Sequence, residues 1–105
     1  MRFTCLKENL NSGLAIVSRA VAGRTTLPIT QNILLSAGEG RLKLTATNLE
    51  IAISTWIGAQ IEEEGSITVP ARVFAELVSS FPQEKIDFET QKPNCKLRIF
   101  VIWLY

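Results

Sequence analysis

Apolar positions along this chain alternate between strand spacing and helix spacing, and the switches divide it into elements. Arg2 to Leu6 has Phe3 and Cys5 on one face, as a short strand does. Leu10, Leu14, Val17 and Val21 then repeat as one narrow stripe, with Glu8, Ser12, Ala15 and Arg19 opposite. That spacing predicts an amphipathic helix. Gly13 weakens it by ~1 kcal/mol relative to alanine, and Gly23 is a stop signal. Leu27 precedes Pro28 and is pushed toward extended geometry, so the next strand begins after the proline. Ile33 to Ala37 reads as a buried strand, and Gly38-Glu39-Gly40 as a hairpin turn. Arg41 to Thr47 alternates, with Leu42, Leu44 and Ala46 facing inward.

Asn48 turns the chain, and Leu49, Ile51, Ile53 and Ile57 continue the alternation with Glu50, Ser54 and Trp56 on the other face. Glu62-Glu63-Glu64-Gly65 reads as an acidic turn, and Ile67 and Val69 mark another short strand. Pro70 suits the first turn of a second helix, whose stripe is Phe74, Leu77, Val78 and Phe81, with Arg72, Glu76 and Ser79 opposite. Pro82 ends it. Ile86 and Phe88 alternate with Lys85, Asp87 and Glu89, residues 91–94 turn, and a last strand starts near Lys96. The two halves share an element order, a strand, a helix and then strands, with the second half incomplete. Two helices, each with one apolar stripe, pack on one face of a mostly antiparallel sheet. The expectation is an α+β two-layer domain with both arginine-bearing helix faces turned to solvent.

Composition narrows the function. At 105 residues with 47% hydrophobic and 20% charged residues, the chain is one globular domain and not a disordered one. Eleven basic and 10 acidic residues leave a net charge of +1, too balanced for affinity built on neutralising many phosphates. Histidine is absent, which removes the commonest general base and metal ligand. Cys5 and Cys95 lack metal-ligand spacing, and the expectation is two reduced thiols in a cytoplasmic protein. No signal peptide is legible, and the apolar run Ile99 to Tyr105 is far below the ~20 residues of a membrane span.

No catalytic site is legible. Glu62, Glu63 and Glu64 are consecutive and do not converge as an acid and base would. Asp87 and Glu89 share a strand face but lack the further ligands of a cation site. Ser79-Ser80 has no base nearby in sequence, and there is no P-loop or dinucleotide fingerprint. Trp56, Trp103 and Tyr105 could stack on bases, but Trp56 follows strand periodicity, and packing in the core or on the sheet surface is the stronger reading. Neither metal nor cofactor is expected. Chemistry concentrates instead in an arginine-bearing stretch: residues 9–38 hold no acidic residue, yet include Arg19 and Arg24. An unopposed arginine on a proline-held loop suits an anion such as phosphate, although a solvated connector is the preferred reading of the loop taken singly.

Four motifs occur in order: Met1-Arg2-Phe3-Thr4, then Gly23-Arg24-Thr25-Thr26-Leu27-Pro28-Ile29 with Asn32-Ile33-Leu34-Leu35, then Thr45-Ala46-Thr47-Asn48-Leu49-Glu50, then Thr68-Val69-Pro70-Ala71-Arg72-Val73-Phe74. Together they resemble the first domain of the bacterial sliding clamps, the DNA polymerase III beta subunit family, over residues 1–98. The resemblance implies a non-enzymatic accessory subunit of a DNA polymerase. Such clamps are homodimeric rings of six similar domains, helices lining the hole and sheets outside. They encircle duplex DNA without regard to sequence, make the replicative polymerase processive, and have the polymerase and a clamp loader as partners. A topological link needs few phosphate contacts, so a near-neutral chain is compatible with it. Arg24 matches the family's DNA-facing loop arginine and Arg72 the arginine after its Val-Pro-Ala segment. Arg19 and Lys7 join them by position. Arg72 also reads as a solvated helix residue paired with Glu76.

The resemblance fails at the end. Residues 99–105 replace the family's final basic and aromatic strand with an apolar tail, and the second and third clamp domains are absent. A natural truncation, a shifted reading frame and a fragment all fit. The uncharged, proline-free tail is expected either to associate with other chains or to fold back over the core. Two rivals follow: a clamp-like interaction or inhibitor domain that no longer forms a ring, and an unrelated small hydrolase, disfavoured by the missing histidine and nucleophile motif.

Overall fold

A computed structural model describes residues 1–20, 32–47, 50–82, 84–91 and 96–101, the last strand from Lys96 and residue 91 as backbone only. In chain order the elements are β1 (Arg2–Leu6), α1 (Lys7–Val17) with a 3-10 turn at Ser18–Ala20, β2 (Asn32–Gly38), β3 (Arg41–Thr47) and β4 (Ala52–Gly58). There follow β5 (Gln60–Glu63), β6 (Gly65–Pro70), α2 (Ala71–Ser80), β7 (Lys85–Gln91) and β8 (Lys96–Val101). The α+β class and the antiparallel pairing are as expected, but the strands divide into two four-stranded sheets, ordered β5-β1-β7-β8 and β4-β3-β2-β6.

The division happens where an acidic turn was expected. Glu62 and Glu63 lie in β5, which pairs with β1, and after Glu64 the chain continues as β6 and pairs with β2. The acidic run therefore marks a change of sheet. Its charges suit an edge strand, where they oppose pairing with another chain, and Glu62 reaches Arg2 at 3.2 Å. The hairpin between β2 and β3 is as read: Glu39 and Gly40 both have positive φ, 54° and 73°, between the paired residues Gly38 and Arg41. That is the primed two-residue turn whose twist matches the strands it joins.

Alternation holds through the sheets. Phe3 and Cys5, Ile33, Leu35 and Ala37, Leu42, Leu44 and Ala46, and Ile86 and Phe88 are all buried. Leu10, Leu14 and Val17 from α1, with Phe74 and Val78 from α2, complete the same core. Phe88 stacks on Phe3 with ring centroids 4.8 Å apart and meets Phe74 at 5.9 Å. Each such buried side chain contributes about 1.5–3 kcal/mol.

Four local expectations change. Leu77 was placed in the stripe of α2, but it is 41% exposed. At 100° per residue it lies roughly a quarter-turn from the arc of Ala71, Phe74 and Val78, which faces the core. Ile51 is exposed and precedes β4, which begins at Ala52. Pro70 ends β6 as the N-cap residue, with α2 starting at Ala71. Gln91, expected in a turn, ends β7 and pairs with Lys96 of β8, which carries on through Ile99–Val101 beside Phe88 to Ile86. Val21, Gly23, Asn48, Leu49 and residues 102–105 of the apolar tail lie outside the described residues.

Gly13 acquires a reason. A Cβ there would lie 2.6 Å from Leu44 Cδ1 and 3.2 Å from Ile57 Cγ2, so α1 approaches the second sheet as closely as a bare backbone allows. Gly58 has open space around it. Gly13→Val should lower stability by about 1–3 kcal/mol through overpacking, while Gly58→Ala stays within about 0.5 kcal/mol of the parent. Urea unfolding of the two variants checks this. Equal effects would show that the contact is slack.

Cys5 is buried, and desolvation, helped by the Asp87 carboxylate, pushes its thiol from 9.0 up to about 12. The fold thus favours the neutral thiol. Its contribution to stability is complete below pH 9.0 and is lost as pH rises toward 12. Urea midpoints measured across that window should fall more steeply in the parent than in Cys5→Ala. Parallel slopes would mean that the thiolate is tolerated inside.

Candidate nucleic-acid interface

The helix pair forms the surface on which the sequence places its cations. α1 follows β1 without a loop, and its first residue is tied to the far end of the chain's second half. The Lys7 backbone N–H donates to the Glu84 carbonyl at 2.7 Å, satisfying one of the N–H groups that a helix start leaves open. The Lys7 ammonium donates to the Phe81 carbonyl at the C-terminal end of α2. Phe81 is extended, as a residue before proline must be, and its N–H donates to the Val78 carbonyl. One turn along, Ser79 Oγ donates to Asn11 Oδ1 at 3.4 Å.

These contacts fix an antiparallel pair, with the start of α1 beside the end of α2. The other end of the pair therefore collects the residues that follow α1 and those that begin α2. Arg19, in the 3-10 turn, and Arg72, in the first turn of α2, are both exposed there. Neither makes an ion pair among the described residues. The Arg72–Glu76 pairing open from the sequence is thus not formed, although Glu76 lies one turn away on the exposed side. Glu8, Ser79 and Ser80 are at the opposite end, and the exposed surface between carries Ser12, Ala15, Ile16, Val73, Glu76 and Leu77.

Arg72 stands where helix stability alone would not put it. The positive end of the α2 dipole disfavours a cation there, by about 0.3–1 kcal/mol at an exposed site. With the open N–H groups of the same turn, that charge makes the end attractive to an anion. Arg19 follows the negative end of α1, where a cation is favourable. Lys7, the fourth candidate, is half-buried and its ammonium is engaged at Phe81, so it serves to join the helices. Arg24, the loop candidate, lies outside the described residues.

Other candidates resolve into structure. Asp87 accepts a hydrogen bond from Thr4 Oγ1, and no group of three or more metal-ligating side chains occurs among the described residues. Ser80 Oγ donates to the Leu77 carbonyl at 2.7 Å. No described helix is long and apolar enough to cross a membrane. The roles of Asn11 and Ser79 in setting the helix pair were missed from sequence, where short polar residues on a solvent face carry no signal.

Residues 1–100 match the family described as DNA polymerase III beta subunit, N-terminal domain. The chain is 42% identical over 86 residues to the beta sliding clamp of Synechococcus elongatus, and 40% identical over 84 residues to that of Escherichia coli. Those matches cover 80% and 79% of this chain and 23% of each relative, so the chain spans about a quarter of their length. Among solved structures it is similar to a putative DNA polymerase III beta subunit from Eubacterium rectale, with a TM-score of 0.90 at 38% identity, covering 97% of this chain and 27% of that one. It is similar too to the DNA polymerase sliding clamp of Caulobacter crescentus, with a TM-score of 0.88 at 35% identity, covering 95% and 27%.

The two classes of cation separate experimentally. Lys7→Met should cost about 1–2 kcal/mol by leaving the Phe81 carbonyl without its charged donor, whereas Arg72→Ala should change stability by no more than about 0.5 kcal/mol. Thermal unfolding of both variants reads the difference. A large loss from Arg72→Ala would make that arginine a structural residue.

Proposed function

This chain belongs to the DNA polymerase III beta subunit family, as its N-terminal domain, and from that membership we propose that it contributes one domain of a DNA sliding clamp. It catalyses no reaction in this reading. It acts in the cytoplasm as an accessory segment of the replicative polymerase, within a dimeric ring that has a clamp loader as a partner and encloses duplex DNA. The clamp domain runs over residues 1–98, with 99–105 a divergent end.

The observation that carries this reading is the exposed helix pair with Arg19 and Arg72 gathered at one end. Two guanidinium groups without an ion pair among the described residues can touch phosphates briefly while reading no base edge. Such a surface holds DNA by charge at a few points and leaves the rest free to move past, which suits a ring whose grip is topological. Arg24 belongs to the same set by its match to the family motif. The near-neutral composition fits this division of labour: contacts that are few and weak permit sliding.

Titration of the chain with fluorescent duplexes of two unrelated sequences tests it. Binding is expected at about 10⁻⁴ M or weaker, lost on adding salt, and equal for the two sequences. Arg24→Ala with Arg72→Ala should weaken both duplexes alike. Tight, salt-insensitive or sequence-selective binding would overturn the assignment.

A further inference from the structure

The face of the second sheet turned away from the helices holds a feature unconnected with them. Trp56, on β4, is 50% exposed. Its cross-strand partner on β3 is Lys43, whose ammonium lies 5.4 Å from the ring centroid, and the Arg41 guanidinium lies at 6.0 Å. Both are within cation–π reach. Inward-facing Ile57 and Leu44 pack under α1, so Trp56 and the two cations face solvent. Around them the outward register carries Thr45, Ser54, Ser66 and Thr68, all uncharged.

An open depression of about 320 Å³ adjoins the ring, bordered by Ser36, Gly38, Glu39, Arg41, Lys43 and Glu64. The two carboxylates stand at the hairpin rim. Glu39 is 3.9 Å from Arg41 with both side chains more than half exposed, a pair that neutralises little. Glu64 Oε2 accepts the Glu39 backbone N–H at 3.3 Å. Lys43 makes no ion pair among the described residues.

We propose that this outward face docks an acidic peptide segment of a partner protein, with an apolar side chain against Trp56 and carboxylates set between Lys43 and Arg41. Tryptophan and arginine are the residues that anchor interfaces, and here they adjoin a hollow at the small end of the range for ligand sites. The charge complement is short. Two cations beside one ring match one or two carboxylates, whereas a nucleic-acid strand would run past them onto Glu39 and Glu64. It would also find no second stacking ring among the described residues of that face. The observations therefore favour a peptide over a polyanion. The site lies opposite the helix pair, so its occupancy is independent of the DNA reading.

The ¹⁵N-labelled full chain has two indole signals, from Trp56 and Trp103, which Trp56→Phe assigns. The probe is a blocked synthetic peptide, Asp-Leu-Asp-Phe-Asp-Leu. It should shift the Trp56 indole saturably, and Lys43→Glu should weaken it about tenfold or more. Lys43→Gln, with its fold checked by far-UV circular dichroism, should weaken it less and serves if the glutamate variant does not fold. The same peptide with lysine for aspartate should not bind. Absence of a saturable shift, equal binding of the basic peptide, indifference to both Lys43 variants, or tighter binding of oligothymidylate at Trp56 would each overturn the proposal.

Discussion

Phe88 lies between Phe3 and Phe74, in contact with both rings, and the arrangement of the domain depends on that contact. Phe3 opens the chain, Phe74 lies on α2, and Phe88 is on the strand that follows it. Bringing them together places β7 beside β1 and so draws α2 over the first sheet. β2, which follows α1, meanwhile pairs with β3 and β6 in the second sheet. The helices are then obliged to lie together over one shared core, because each has one apolar arc and no other surface on which to bury it.

The same constraint explains where close contact is permitted. α1 sits down on the second sheet at Gly13, where any side chain would meet Leu44 and Ile57. α2 is held to α1 by polar contacts at one end, through Lys7, Phe81, Asn11 and Ser79. Burial supplies most of the energy, and these few directional bonds choose the antiparallel alignment. That alignment is what gathers Arg19 and Arg72 at the other end. A stability requirement near Lys7 thus determines the charge pattern at a distance of a helix length.

The two broad surfaces of the domain consequently differ in kind. The helix side gathers Arg19 and Arg72 at one end of a surface that also exposes Ile16, Val73, Glu76 and Leu77. The outer side of the second sheet carries one large ring with two cations beside it, suited to something short. Near-zero net charge conceals both, since each depends on local placement and not on the sum.

Much of this was legible along the chain. Period-two spacing marked Phe3, Leu42, Leu44, Ile86 and Phe88 as inward, and helix spacing marked Leu10, Leu14, Val17, Phe74 and Val78, because burying one face of a regular element imposes its repeat on the apolar residues. The collinear motifs identified the family, and Arg72 stood out through one of them. Partnership was not legible. That Glu64 separates two sheets, that Leu77 looks outward, that Lys7 is spent on a carbonyl and that Trp56 stands beside Lys43 all depend on which element lies next to which. Local spacing records the direction of a side chain relative to its own backbone. Its neighbour is set by long-range packing, and contacts such as Lys7–Phe81 and Phe3–Phe88 join residues too distant along the chain for any local pattern to record.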